Sequence, residues 1–424
     1  MFRSMRAKIG AAVTTAALIA TAGCGGTGFE AETEPQNSSG GGEVRMLVNI
    51  TSNLTKSYWE ELVAPFEESH PGVDVVIEAP SGQGVKDTLP QLLAAGNAPD
   101  VVETLMVDEK LAPQMLELTD QDWVQETPLV EQAALDGKIY TVGVGMQAQS
   151  LVFYNAEAFD KAGISQPPET LTEFEDAMAK LKKADYLPLQ TAGDYVTGLQ
   201  LLQLSDPPVA GEYPDWHQQV ADGSVTVGDS MLPLLQRYQS WIEQGWIDEN
   251  ALGLDPAGAE SNFLDGKAGM YVMGSWFVRT AEDTDTDFTV QAFPAPVEAG
   301  QPTPGPQGVT MAAPYMILKS SKQQQLATEL VQWLVTDKAA VQSQLAQDGN
   351  FREGFTDELG PLGQEVQQIL DEAPAHVAQG EGYGSATLPA GFNTEWNKLV
   401  QGLYTGSSPE DVASDIDSWV ESNK

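Results

Sequence analysis

Apolar and polar positions along this chain switch between a period of two and a period of 3.6, and the switches outline its elements. Val44 to Ile50 alternates as a strand, and Asn49 to Lys56 is polar and loop-like. Trp59, Leu62, Val63 and Phe66 fall at i, i+3, i+4 and i+7, which predicts a helix ended by His70-Pro71-Gly72. Val73, Val75 and Ile77 restore period two. The chain thus opens β-α-β, and a crossover of this length predicts parallel strands. Val85 to Ala95 reads as a second helix, Val101 to Leu105 as a buried strand, and Asp108 to Leu116 as helical again. This order predicts an α/β domain whose ligands bind at the carboxyl ends of the strands, here Asn49 to Asn53, Pro80 to Gly84 and Glu103 to Met106.

Ile139 to Val144 and Leu151 to Tyr154 are extended runs with no helix between them, which predicts a crossing strand pair and a domain boundary near residue 150. Ala156 to Ala162 is a helix stopped by Gly163, and Thr172 with Glu175 reads as the capping box of the next. Helices are expected at Asp194 to Leu204 and Ser230 to Gln244, with loops at Leu204 to Trp216 and Gly380 to Pro389. Phe288 to Phe293 and Val309 to Leu318 read as strands on either side of a segment with five prolines, 294–306. Such proline density forbids helix and suits a connection between domains. Gln323 to Leu334 and Asp337 to Ala346 are helical, and after Asp348-Gly349-Asn350 only helices are expected: Leu359 to Leu370, Phe392 to Leu403 and Pro409 to Val420.

One stretch stands apart. In FLDGKAGMYVMGSW (263–276) a helix end turns at Gly266, a small-residue strand follows, and Gly274-Ser275 delivers an indole. Glycine at 274 lets the backbone come close to its neighbour, so Trp276 is placed at the mouth of a cleft rather than in a core.

The N-terminus changes the picture. Arg3, Arg6 and Lys8 precede an uncharged run, Ile9 to Ala22, too short to span a bilayer and closed by small residues, so residues 1–23 read as an export signal. The single cysteine, Cys24, follows it directly and resembles the acylated cysteine of a bacterial lipoprotein, although Thr21 stands where a leucine is usual. Residues 24–42 hold almost nothing that packs and read as a lipidated cysteine with a flexible tether. Losing residues 1–23 takes the formal charge from −40 to −43. That charge repels nucleic acid and anionic membrane surfaces, leaving the lipid as the expected membrane contact.

Motifs for metal, nucleotide or nucleophilic chemistry fail their context. His70, His217 and His376 are scattered, without HExxH. Asp283, Asp285 and Asp287 start like a calcium loop but lack its glycine and its glutamate. Gly143, Gly145 and Ala148 imitate a dinucleotide fingerprint, yet a strand-like run follows instead of a helix. No cofactor or metal is expected, and paired acids for glycoside hydrolysis stay open because 61 acidic residues supply many pairs.

Five stretches, in order, resemble the extracellular solute-binding proteins of ATP-binding-cassette sugar importers, the family of maltose-binding protein. They are FEESHPGVDVVIE (66–78), LPQLLAAGNAPDVVE (89–103), residues 136–181 with DGKIY and LVFYNAEAFDKAGI, residues 263–276, and APYMILKSSKQQQLATELVQWLVTD (313–337). The resemblance implies two hinge-linked α/β lobes with parallel-type sheets flanked by helices, a helical C-terminal tail and no catalysis. The expected lobes are 43–149 with 297–348, and 150–296 with 349–424. It also implies a monomer that hands a carbohydrate to permease subunits, with Trp276 stacking on a sugar ring. Position and chemistry add Asn53, Gln83, Glu103, Gln147, Asp194, Tyr195, Ser275 and Gln307 as candidate ligand residues. A polyamine or other cation in the same fold, a secreted glycoside-acting enzyme and a surface adhesin are the competing readings.

Overall fold

The computed structural model describes residues 42–51, 53–80, 84–355, 359–384 and 386–423. The export signal, Cys24, the tether up to residue 41 and Gln83 lie outside the described residues. The first half opens as β1 (Glu43–Leu47), α1 (Lys56–Ser69), β2 (Asp74–Glu78), α2 (Val85–Ala94) and β3 (Val101–Glu103). β1 pairs in parallel with both β2 and β3, as the crossover lengths require. The Thr55 hydroxyl accepts from the Tyr58 N–H at 3.2 Å and fixes the start of α1, whose stripe Trp59, Leu62, Val63 and Phe66 is buried. The helix expected at Asp108 to Leu116 is only a 3-10 turn, Ala112–Gln114, because Pro113 has no N–H to continue a ladder.

β4 (Gly145–Ala148) and β5 (Leu151–Asn155) follow with no helix between them. The strand expected at Ile139 to Val144 makes one bridge, Val142 to Tyr315; the ladder forms further on, where Gly143 and Gly145 lie against Met311 and Phe351. Next come α3 (Ala156–Ala162), α4 (Leu171–Lys183), β6 (Leu187–Gln190), α5 (Val196–Glu212), α6 (Trp216–Ala221) and α7 (Val227–Glu243). The capping box of α4 is Thr170 with Glu173, two residues before the expected one, since Leu171 is buried in the first turn. Glu175 instead accepts from Arg237 at 2.9 Å and from the Trp241 indole at 3.0 Å. Leu204 to Trp216, expected as loop, is helix through Glu212 with Pro207 and Pro208 inside it; α5 is buried on almost every side, and packing outweighs propensity.

The chain continues through α8 (Pro256–Leu264), β7 (Ala268–Met273), α9 (Phe277–Asp283), β8 (Val290–Pro294), β9 (Gln307–Ala312) and β10 (Tyr315–Ile317). Val309 to Leu318 is thus two strands, parted where Ala313 takes a positive φ of 42° before Pro314. The last elements are α10 (Gln324–Thr336), α11 (Lys338–Gln347), α12 (Pro361–Glu372), β11 (Ala375–Val377), β12 (Gly382–Tyr383), β13 (Ala386–Thr387), α13 (Phe392–Gln401) and α14 (Pro409–Asn423). The tail therefore holds three short strands as well as the expected helices.

Two four-stranded sheets organise the molecule, ordered β10-β3-β1-β2 and β6-β7-β5-β8. Both are mixed: β10 runs antiparallel to β3, and β5 runs antiparallel to β7 and β8 while β6 and β7 are parallel. A third sheet, β11-β9-β4, carries strands from three distant parts of the sequence. One core gathers residues 44–144 and 315–345 around the first sheet, including Trp59, Phe66 and Leu334. Another gathers residues 152–295 and 388–420 around the second, including Phe174, Trp241 and Trp396. Among the described residues no helix is long and apolar enough to cross a membrane.

Candidate ligand-binding site

A row of polar side chains runs from the end of β3 through the β4–β5 crossing to the middle of α5. It begins at Glu103, only 2% exposed, whose carboxylate accepts from the Asn49 backbone N–H at 2.9 Å. Burial pushes Glu103 up to about 7 and Asp348, after α11, up to about 6. Gln147 Nε2 and Asn350 Nδ2 each donate to Asp348 Oδ2 at 3.2 Å. Two residues on, Gln149 Nε2 donates to Thr310 Oγ1 at 3.0 Å, and Gln149 Oε1 accepts from Gln203 of α5 at 2.8 Å. Asp206, one turn along α5, accepts from Ser150 Oγ at 2.6 Å and from the Gln379 N–H at 3.0 Å.

The far end of this row borders a cavity of about 260 Å³, walled by Gln149, Gln203, Asp206, Thr310, Gln379 and, from α13, Asn393 and Asn397. Tyr195, just before α5, stands on its edge and is 42% exposed. Three residues other than glycine with positive φ lie along the row or beside that tyrosine: Thr104 (84°), Ser150 (55°) and Asp194 (55°). Such backbone holds only where its surroundings fix it, and it gathers at binding sites. Gly308 is required there, because a Cβ on it would fall against the Asp206 carboxylate and the Ser150 hydroxyl. Amides and hydroxyls around one aromatic face match a ligand with an apolar side and many hydroxyl groups.

The structure brings some of the sequence candidates together and parts others. Glu103 and Gln147 stand in the polar row, and Tyr195 on the cavity edge. Gln307 is fully buried beneath it, its amide donating to the Gln149 carbonyl. Asp194 is exposed beside Tyr195, with its carbonyl accepting from Gln401. Asn53 offers its carbonyl to Gln347 at 2.6 Å. Ser275 is fully buried and exchanges two bonds with Ala148, 2.9 Å from its N–H and 3.1 Å to its hydroxyl. Trp276 is half-buried and does not line the 260 Å³ cavity. Its indole lies over Gly274, where a Cβ would meet three ring carbons, and its turn abuts the Asp348–Asn350 loop through Gly349.

Sequence reasoning missed Gln149, Gln203, Asp206, Thr310, Asp348, Gln379, Asn393 and Asn397. A signal for two of them was present: α5 is apolar all round yet carries Gln200, Gln203, Ser205 and Asp206, and polar groups inside such a helix need internal partners or a ligand.

These features define a two-lobed binding fold, and the chain belongs to the bacterial extracellular solute-binding proteins, whose family profile matches residues 51–341. A protein of Brucella abortus named as a binding protein is 24% identical over 313 residues, 70% of this chain and 73% of its own length. A chitin oligosaccharide binding protein has the same fold at a TM-score of 0.76 and 20% identity, covering 90% of this chain and 99% of its own. A sugar transporter protein of Bacillus licheniformis, solved with stachyose, superposes at 0.72 with 18% identity, over 90% of this chain and all of its own.

Proposed function

We propose that the protein is a lipid-anchored receptor that captures a carbohydrate outside the cell and presents it, unchanged, to the permease of an ATP-binding-cassette importer. The observation that carries this reading is the partly exposed Tyr195 ring beside a cavity where amides, hydroxyls and the Asp206 carboxylate stand among the apolar Leu199, Leu202 and Ala378. An aromatic face covers the apolar C–H side of a pyranose, while paired donors and acceptors take its hydroxyls. Chitin oligosaccharide and stachyose, named for two proteins of the same fold, support an oligosaccharide. The two hydrophobic cores support lobes of 43–149 with 297–348 and 150–296 with 349–424, closing as the ligand bridges them. Cys24 carries the lipid, the tether lets the receptor reorient, and the receptor acts as a monomer.

A cationic ligand fits less well. Glu103 and Asp348 are both pushed toward their neutral forms by burial, and Asp206 is committed to Ser150 and Gln379. Small-angle scattering of the protein with and without a bound oligosaccharide tests the proposal, alongside chromatography of the released ligand. A more compact particle and intact sugar are expected. Unchanged scattering with bound sugar points to an adhesin, and shortened sugar to an enzyme.

A further inference from the structure

Beyond Gln379 lies a second cavity, of about 230 Å³, between the end of α5, the start of α6 and β11. Gln379 lines both cavities, and Asp206, in the wall of the first, lies 3.4 Å from Nε2 of His376 in the wall of the second. The two spaces are therefore one side chain apart. Three polar atoms at the second cavity, His217 Nε2, His376 Nε2 and Gln379 Nε2, are buried without a hydrogen-bond partner among the described residues, and of these only His376 Nε2 has a carboxylate near it, Asp206 at 3.4 Å. A buried polar atom left so is costly, and proteins keep few of them without a purpose.

The chemistry of this wall is specific. Burial pushes His217 down to about 4, so its ring is uncharged at neutral pH and offers a nitrogen that donates or accepts according to its tautomer. The Gln379 amide nitrogen supplies a donor, and Tyr213 supplies a half-buried aromatic wall. Among the described residues neither lysine nor arginine lines the space, and the one imidazole there raised above its usual value, His376, is lowered by burial but held up by its pairing with Asp206, so the wall offers an anionic sugar such as a uronate no unpaired cation. A neighbouring sugar hydroxyl, which is both donor and acceptor, satisfies the amide and the imidazole together.

We propose that this cavity is a second subsite for the same ligand, holding the next ring of a neutral oligosaccharide through His217, Gln379 and Tyr213. The proposal rests on the carbohydrate reading above. It makes chain length, rather than ring identity alone, a determinant of affinity. It also places the occupant beside Trp216, whose ring centroid is 4.9 Å from that of His217, so filling the subsite changes indole fluorescence.

The test is titration of the protein with two series: N-acetylglucosamine and its β1,4-linked dimer and trimer, then glucose, sucrose, raffinose and stachyose. In the series that binds, adding the second ring is expected to raise affinity about tenfold or more. His217→Ala is expected to cut that gain to about threefold or less and to remove the fluorescence change, and His217→Asn, which keeps a donor and an acceptor, to restore most of the gain. Gln379→Leu provides an independent second variant, and melting of each unliganded protein shows that it is folded. A gain that survives both His217→Ala and Gln379→Leu overturns the subsite, as does binding indifferent to chain length. Failure of every saccharide to bind overturns the carbohydrate reading as well, which separates the two failures.

Discussion

Replacing Tyr195 by alanine tests the placement of its ring at the ligand. The ring is 42% exposed at the N-terminal boundary of α5, so part of it is free for a ligand while the larger part packs on the protein. A tyrosine presents roughly 150–250 Å² in all. The exposed share is then about 60–100 Å², and at about 25 cal/mol per Å² covering it with a sugar face contributes about 1.5–2.5 kcal/mol. The Tyr195→Ala dissociation constant is expected to rise about 10–60-fold, because about 1.4 kcal/mol corresponds to a factor of ten. Folding stability is expected to fall as well, by about 2–3 kcal/mol, because more than half of the side chain is covered by the protein. Isothermal titration with the best-bound saccharide gives the first number, and urea unfolding without ligand gives the second. Wild-type affinity in a variant that is still folded would refute the placement of the ring at the ligand.

Other outcomes follow from the same geometry. Glu103 has a folded pKa raised to about 7 by burial, so the fold favours its protonated form; its contribution is full below the unfolded value and is lost as pH rises through the folded one. Wild-type stability is expected to fall by about 3 kcal/mol on this account between pH 4.5 and 8, and Glu103→Gln to flatten the slope, as read by urea unfolding across that range. Gly308→Ala drives a methyl against Asp206 and Ser150, and is expected to abolish saccharide binding in titration while melting shows a cost of about 1–3 kcal/mol. Gly274→Ala sets a Cβ against the Trp276 ring and is expected to swing the indole outward, visible as a changed near-ultraviolet circular dichroism spectrum. The family resemblance, rather than this geometry, places a sugar on the Trp276 ring, which does not line the cavity; on that expectation Trp276→Ala weakens saccharide binding by about 1.5–3 kcal/mol in the same titration, and unchanged affinity would remove that indole from the site.

Much of the fold was legible because periodicity, caps and glycines agreed. The α1 stripe, the Gly163 stop of α3 and the strand from Ala268 to Met273 all follow from local pattern. Where local pattern misled, tertiary packing decided: α5 runs through Pro207-Pro208 because it is buried, and the capping box sits at Thr170 because Leu171 is. The site was less legible for a related reason. Ser150, Asp206, Thr310, Gln379 and Asn393 come from five separate segments and meet only through the β11-β9-β4 sheet and the packing of α13 on α5. Their polarity is ordinary residue by residue, and only their convergence marks them. Of the candidates, Glu103 at a strand end lies in the polar row and Tyr195 before α5 on the cavity edge, whereas Ser275 is occupied in tying the end of β7 to the β4–β5 crossing.

The most direct test of the account is a thermal-shift and tryptophan-fluorescence screen of the protein against neutral mono- and oligosaccharides, with spermidine and putrescine beside them. A rise in melting midpoint and a fluorescence change for one neutral oligosaccharide, with none for the amines, is the predicted result, since a ligand selective for the folded state stabilises it. A shift with the amines and with no sugar would contradict the account, leaving the fold in place and the ligand class overturned.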